Sequence, residues 1–185
     1  MPSPKVSYSD LEDAFLFASD EQLYWLDKRT GEILFFSRDV ADSLSSGEDL
    51  SDYPEWQQEQ IADARRVLRA FGELPDDTDS QSGESTNYQD DASGENPYVP
   101  IEQIPSHEAF KWMEDFAEAV ADSRLQHLLF EALSGRRPFR RFKDVLLDYP
   151  KQREQWFAYE GTRRRQYIEQ WARDEGIELD LGQQD

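Results

Sequence analysis

Apolar positions recur along this chain in blocks, and the period changes from block to block. Leu11, Ala14, Phe15 and Ala18 fall at helical spacing behind Ser9, with Asp10, Glu12 and Asp13 where a helix N-terminus favours negative charge. Residues 21–27 (EQLYWLD) and 32–37 (EILFFS) are instead aromatic-rich runs on either side of KRTG. They predict a β-hairpin whose turn puts Gly31 in a left-handed position, with the Asp27 carboxylate capping turn N–H groups. Leu23, Trp25, Ile33 and Phe35 alternate with Tyr24, Leu26, Leu34 and Phe36. A hairpin apolar on both faces has to be covered on both, or to dimerise.

Residues 38–50 are polar and predict no element. Pro54 suits the first turn of a strong helix, with Trp56, Ile61, Ala64, Val67, Leu68 and Phe71 on or near one face. After a long polar stretch, residues 98–101 (YVPI) read as extended, able to add a third strand that Pro100 restricts to an edge. Ser106 caps the next expected helix, whose stripe is Phe110, Met113, Phe116, Ala117 and Val120. Residues 123–134 carry Leu125, Leu128, Leu129, Ala132 and Leu133 and stop before Gly135, a suitable C′ residue. Pro138 opens a short helix to Leu147 with Phe139, Phe142, Val145 and Leu146 inward. The last helix covers about 151–175, with Trp156, Tyr159, Tyr167, Ile168 and Trp171 as core contacts and Gly161 as its weak point. The expected fold is therefore α+β and mainly helical: an N-terminal β-hairpin, with two or three strands, packed by five or six helices.

Composition adds the domain organisation. Aromatics reach 13% although hydrophobic residues are only 37%, which points to an aromatic core diluted by a polar segment. Residues 72–97 supply that segment: eight acids, no Lys or Arg, and no aliphatic run after Leu74. Too little apolar surface is present there to offset an ordering entropy of roughly 1–2 kcal/mol per residue. The reading is residues 1–71 (helix, hairpin, helix), a disordered acidic linker over 72–97, and a helical part over 98–185, the two halves forming one composite domain. With no cysteine, disulfides and thiol catalysis are excluded. No signal peptide is visible and the longest apolar runs, 14–18 and 33–36, are too short for a bilayer, so the expectation is a cytoplasmic protein without a membrane.

The net charge of −20 argues against the molecule as a whole binding nucleic acid. Yet residues 136–165 hold ten of the twenty basic residues against four acids.

The second half resembles a bacterial family of uncharacterised proteins, UPF0158. The likeness lies in residues 98–101, Ser106-His107-Glu108-Ala109-Phe110, Met113-Glu114-Asp115-Phe116 and Glu131-Ala132-Leu133-Ser134-Gly135, and most of all in PFRRFKDVL at 138–146, followed by Trp156-Phe157-Ala158-Tyr159 and Trp171. Tyr24-Trp25-Leu26-Asp27 with Thr30-Gly31-Glu32 is similar to the family's hairpin. The resemblance covers most of the chain outside 72–97. It implies a small bacterial intracellular protein and supplies no reaction, cofactor or partner.

For chemistry, the leading candidate is Arg136, Arg137, Arg140, Arg141 and Lys143, extended by Arg163, Arg164 and Arg165. Arginine forks beside aromatics and a helix N-terminus begun by Pro138 suit phosphates or carboxylates. The structural alternative is pairing with the chain's own carboxylates, those of the acidic linker included, with Phe139 and Phe142 in the core. The R-x-x-x-R spacing resembles that of cyclic-di-nucleotide receptors of the PilZ type, but their companion Asp/Asn-x-Ser-x-x-Gly motif is absent. His107 and His127, the only histidines, form no ligand pattern, and Glu114, Asp115, Glu118 and Asp122 read as a solvated helix face. No G-x-S-x-G elbow or phosphate loop occurs. No catalytic residue, metal or cofactor is expected. The expected function is a non-enzymatic interaction module binding an acidic protein or anionic ligand. The alternatives are a small-anion or nucleotide site or an unrecognised enzyme on the same surface, and then nucleic-acid binding.

Overall fold

The computed structural model describes residues 5–74 and 96–181. Except for its ends, the expected acidic linker lies outside the described residues. In chain order the elements are β1 (Lys5–Ser7), α1 (Tyr8–Phe17), β2 (Gln22–Asp27), β3 (Ile33–Ser37), α2 (Arg38–Ser45), α3 (Glu55–Ala70), β4 (Tyr98–Ile101), α4 (Ser106–Ala119), α5 (Ser123–Leu133), α6 (Pro138–Leu146), α7 (Pro150–Asp174) and β5 (Glu178–Asp180). The fold is the expected mainly helical α+β, with seven helices among the described residues rather than five or six. Contacts divide the chain into two compact units, Met1–Gln103 with Gly176–Asp185, and Ile104–Glu175.

The first unit is organised by an antiparallel sheet of order β3-β2-β4. Gly31 takes the left-handed conformation the turn requires (φ 78°). The facing of the hairpin differs from the simple alternation. Leu23 pairs with Phe36 and Trp25 with Leu34, so these four share a face, while Tyr24 pairs with Phe35 and Leu26 with Ile33. Between the paired Leu26 and Ile33 run residues 27–32, an even number, which offsets the parity of the two strands. Leu34, Phe36 and Tyr98 then join Ile61, Ala64, Val67 and Leu68 of α3 in one core. Both sheet edges are blunted. On β4, Pro100 offers no N–H, and on β3 the Phe35 N–H donates to Asp63 Oδ2 of α3 at 3.2 Å.

Helix α2 was not expected. The Ser37 hydroxyl accepts the Val40 N–H at 3.3 Å, and Val40, Ala41 and Leu44 are buried, so three apolar residues and a cap suffice for two turns. For α1 the cap is Ser7 rather than Ser9, and Leu11, Ala14, Phe15 and Ala18 are buried as expected. Trp56 is not in the core but 68% exposed, because it lies about 140° round the helix from Ile61. Phe71 is also exposed. It follows the last turn of α3 and its ring lies 5.2 Å from that of Trp25. Strands β1 and β5 pair in parallel, Val6 beside Leu179.

The second unit is four helices around an aromatic centre. Trp156, 1% exposed, meets Phe142 at 4.9 Å and Phe116 at 5.3 Å between ring centroids, with Met113, Leu125, Leu129 and Leu146 around them. Each such ring pair adds about 0.5–1.5 kcal/mol to area burial. Two expected details are corrected, at Ser106 and at Gly135. Ser106 is the first residue of α4 and gives no cap hydrogen bond. Helix α5 starts at Ser123 as expected, capped by Asp122, whose Oδ1 accepts the N–H groups of Arg124 (2.9 Å) and Leu125 (3.1 Å), as a carboxylate with several lone pairs can. Gly135 is not left-handed; two residues later Arg137 is, at φ 56° and ψ 54°.

Candidate functional site

The turn from α5 to α6 carries the basic cluster, and it breaks several local rules at once. Arg137 occupies a left-handed backbone state that costs a non-glycine residue about 1–2 kcal/mol, and it does so directly before Pro138. Helix α6 has no side-chain cap and no acid in its first turn; Arg140 sits there instead, against the helix dipole. The first helical bond runs from the Arg141 N–H to the Arg137 carbonyl at 3.1 Å. Where local preference is overridden without a compensating contact, a functional reason is the usual one.

Within the helical unit the eight candidate residues fall into two groups. Arg163 lies 3.4 Å from Asp115 of α4 and over the Tyr159 ring, and Arg165 lies 2.9 Å from Glu169. Lys143 reaches Glu160 of α7 at 3.8 Å. Arg164 is half-buried among these contacts of α7. These positions match the structural alternative. The turn does not. Among the described residues no carboxylate lies within ion-pair distance of Arg136, Arg137 or Arg141, and Arg140 has only a 3.7 Å contact to Asp144, with both side chains mostly in solvent. Such an exposed pair contributes about 0–1 kcal/mol.

Aromatic surface lies alongside. Phe139, expected inward, is 38% exposed, with its ring 6.3 Å from that of Phe110 on α4, and Phe130 of α5 is exposed to a similar degree. Pro138 places Phe139 at the start of the helix, a turn away from the buried Phe142, so it meets the core only at its rim. A β-carbon at Gly135 would meet the Arg141 guanidinium, the far end of an exposed side chain that rests against this turn and can turn aside. The charge of the chain is also unevenly divided. Residues Ile104–Glu175 hold thirteen basic and thirteen acidic residues, and the remainder seven and twenty-seven, so the whole net charge of −20 falls outside the helical unit.

Other features of the two units carry less. A cleft of about 460 Å³ is lined by Val6, Asp10, Asp13, Tyr24 and Glu32, and one of about 490 Å³ by Phe116, Val120, Asp122, Lys151 and Tyr159. Neither holds an arginine of the cluster. Of the four acids expected on one helix face, Glu114, Asp115 and Glu118 lie on α4, where Asp115 pairs with Arg163, while Asp122 lies beyond its end and caps α5. His107 is exposed beside Glu108, and no group of three His, Cys, Asp or Glu able to hold a metal occurs among the described residues. Among them, no helix is long and apolar enough to cross a membrane.

Sequence reasoning missed the most buried polar group. Asp27 is 0% exposed and accepts from the Arg29 backbone N–H (2.9 Å), Nε (3.0 Å) and Nη2 (2.8 Å), with Arg66 Nη2 at 3.5 Å. Its turn-capping role was legible; its charge partners were not. Burial pushes its carboxyl up, but the Arg29 hydrogen bonds and both guanidinium charges leave it below the ordinary carboxylate value. Arg66 also meets Glu32 at 2.9 Å and Asp63 at 3.6 Å, and Arg29 donates to the Tyr98 hydroxyl. Burial raises the Asp63 carboxyl, opposed by the Phe35 N–H and Arg66. Every member of this network has a partner, so it fastens the hairpin turn to α3 and β4. The one sequence signal for it was the i,i+3 pair of Asp63 and Arg66.

The family model of an uncharacterised protein family, UPF0158, matches residues 76–184, more than half of the chain, and the chain belongs to that family. The hairpin resemblance lies outside the matched residues, whereas most of the acidic stretch lies inside them. A UPF0158 protein of Pseudomonas aeruginosa is 30% identical over 78 residues, 42% of this chain and 51% of the relative, so the match spans about half of that relative's length. No solved structure matches the chain.

Proposed function

We propose that this member of UPF0158 is a non-enzymatic interaction module of the bacterial cytoplasm. Its surface around Arg136, Arg137, Arg140 and Arg141, with Phe139 beside them, binds an acidic partner. One observation carries the reading: in a chain with forty acidic residues, three arginines of one turn have no carboxylate partner among the described residues. An exposed guanidinium without a partner keeps its planar fork available for a carboxylate or phosphate. The helical unit that bears this surface holds equal numbers of basic and acidic residues, so the net charge of −20 is not its own.

The test is affinity purification from bacterial lysate with wild type and an Arg136/Arg137/Arg140/Arg141→Ala variant shown to be folded by circular dichroism. An acidic protein recovered with wild type alone supports the module. A nucleotide or nucleic acid recovered in its place moves the function to those classes on the same surface. Identical eluates leave the arginines without a binding role and sink the proposal.

A further inference from the structure

Resting on that reading, we infer that the partner is a flexible acidic protein segment carrying an apolar side chain, and that Gly135 is the positioning residue that seats Arg141 for it. Three observations define this occupant. The four arginines are exposed and neither of the two clefts includes them, so a small free ion there would stay in water and gain little. The apolar component is built in, since the exposed Phe139 ring and its neighbour Phe110 lie beside the first turn of α6 that bears Arg140. Aromatic and arginine side chains together are the usual anchors of a protein interface. Finally, affinity for nucleic acid grows with the number of phosphates neutralised, and four arginines at one short connection suit a segment with a few carboxylates better than a long row of phosphates.

Gly135 supplies the geometry. Its hydrogen-only side chain leaves the space in which the Arg141 guanidinium rests, and a methyl group there would turn the fork aside. Arg136 and Arg137 flank it, and the left-handed backbone at Arg137 turns the chain sharply between them and the helix.

The experiment is fluorescence anisotropy on the full chain with three labelled probes of equal charge: an Asp/Glu peptide with interspersed Leu and Phe, the same peptide with Ser at the apolar positions, and an oligothymidylate. Wild type is expected to bind the first about tenfold tighter than either other probe. Phe139→Ala should erase the gap between the two peptides and leave the Ser peptide unchanged. Gly135→Ala should weaken both peptides several-fold, and the Gly135→Ala/Arg141→Ala double variant should bind no more weakly than Arg141→Ala alone. That non-additivity marks a seat for Arg141 rather than a general loss of structure. Equal binding of the two peptides overturns the apolar requirement while the acidic-partner reading stands. Additive losses at Gly135 and Arg141 overturn the seat. An oligothymidylate that binds tightest overturns the occupant in favour of nucleic acid. Wild type that binds none of the probes better than the Arg136/Arg137/Arg140/Arg141→Ala variant overturns the proposed function as well.

Discussion

In the sheet-containing unit, Arg29 and Arg66 converge on a carboxylate that solvent does not reach; in the helical unit, Arg136, Arg137 and Arg141 meet no carboxylate among the described residues. The first unit has twenty-seven acids for seven basic residues, and it uses arginine as an internal fastener. The second has equal numbers and leaves a concentrated group unpaired at one turn. Abundance does not explain which arginines are paired, since the unpaired ones lie within the same acidic chain. Placement does: the Asp27 network joins three elements, while the α5–α6 turn breaks its own capping rules and, among the described residues, brings its arginines to no carboxylate but the exposed Asp144.

The comparison can be broken most forcefully at the cores. Phe142→Ala removes the ring packed on Trp156 and Phe116 beneath α6 and should cost about 3–5 kcal/mol in urea denaturation. A loss near 1 kcal/mol would mean that the helical unit does not depend on its aromatic centre. Asp27→Ala strands two guanidinium groups and is expected to cost about 3 kcal/mol, the low end for a broken buried pair because both arginines keep some solvent.

A pH series sharpens the same point. Asp27 is held below the ordinary carboxylate value of 3.8, so its contribution is fully present above that pH and disappears as pH falls through its lower folded value. Asp63 is raised, so its ionisation works against the fold and stability from this group rises as pH falls towards 3.8. Asp27→Asn should flatten the acid limb of a stability–pH curve, and Asp63→Asn should flatten the opposite slope just above it. Curves of unchanged shape would contradict both assignments.

Smaller effects belong to the turn. Arg137→Gly relieves the left-handed strain and should raise stability by about 1 kcal/mol while weakening peptide binding, the two moving in opposite directions. A fall in stability would show that the Arg137 side chain itself supports the fold. Arg140→Ala should leave stability within about 0.5 kcal/mol, because its contact to Asp144 is exposed.

Much of this architecture was legible because single elements carry strong periods: the stripe of α1, the two aromatic runs of the hairpin, Pro100 at an edge, and the helices α4 to α7. Short-range chemistry was read less well. Helix α2 needs only Val40, Ala41, Leu44 and a Ser37 cap that also ends a strand, too little to stand out from a polar stretch. The hairpin facing depended on the parity of the connection, which composition does not report. At the candidate site, the cluster was visible but its division was not. Arg163 finds Asp115 and Asp27 finds Arg66 across dozens of residues, and only the folded chain decides which cations remain unpaired.

The parallel pairing of β1 with β5 also sets an order of events during synthesis. Lys5, Val6 and Ser7 are made some 170 residues before their partners Glu178, Leu179 and Asp180. At about 5–20 residues per second, the helical unit is complete in sequence before the strand that closes the first unit exists. Residues 5–7 therefore wait through the synthesis of all of residues 104–175 before a partner strand exists for them.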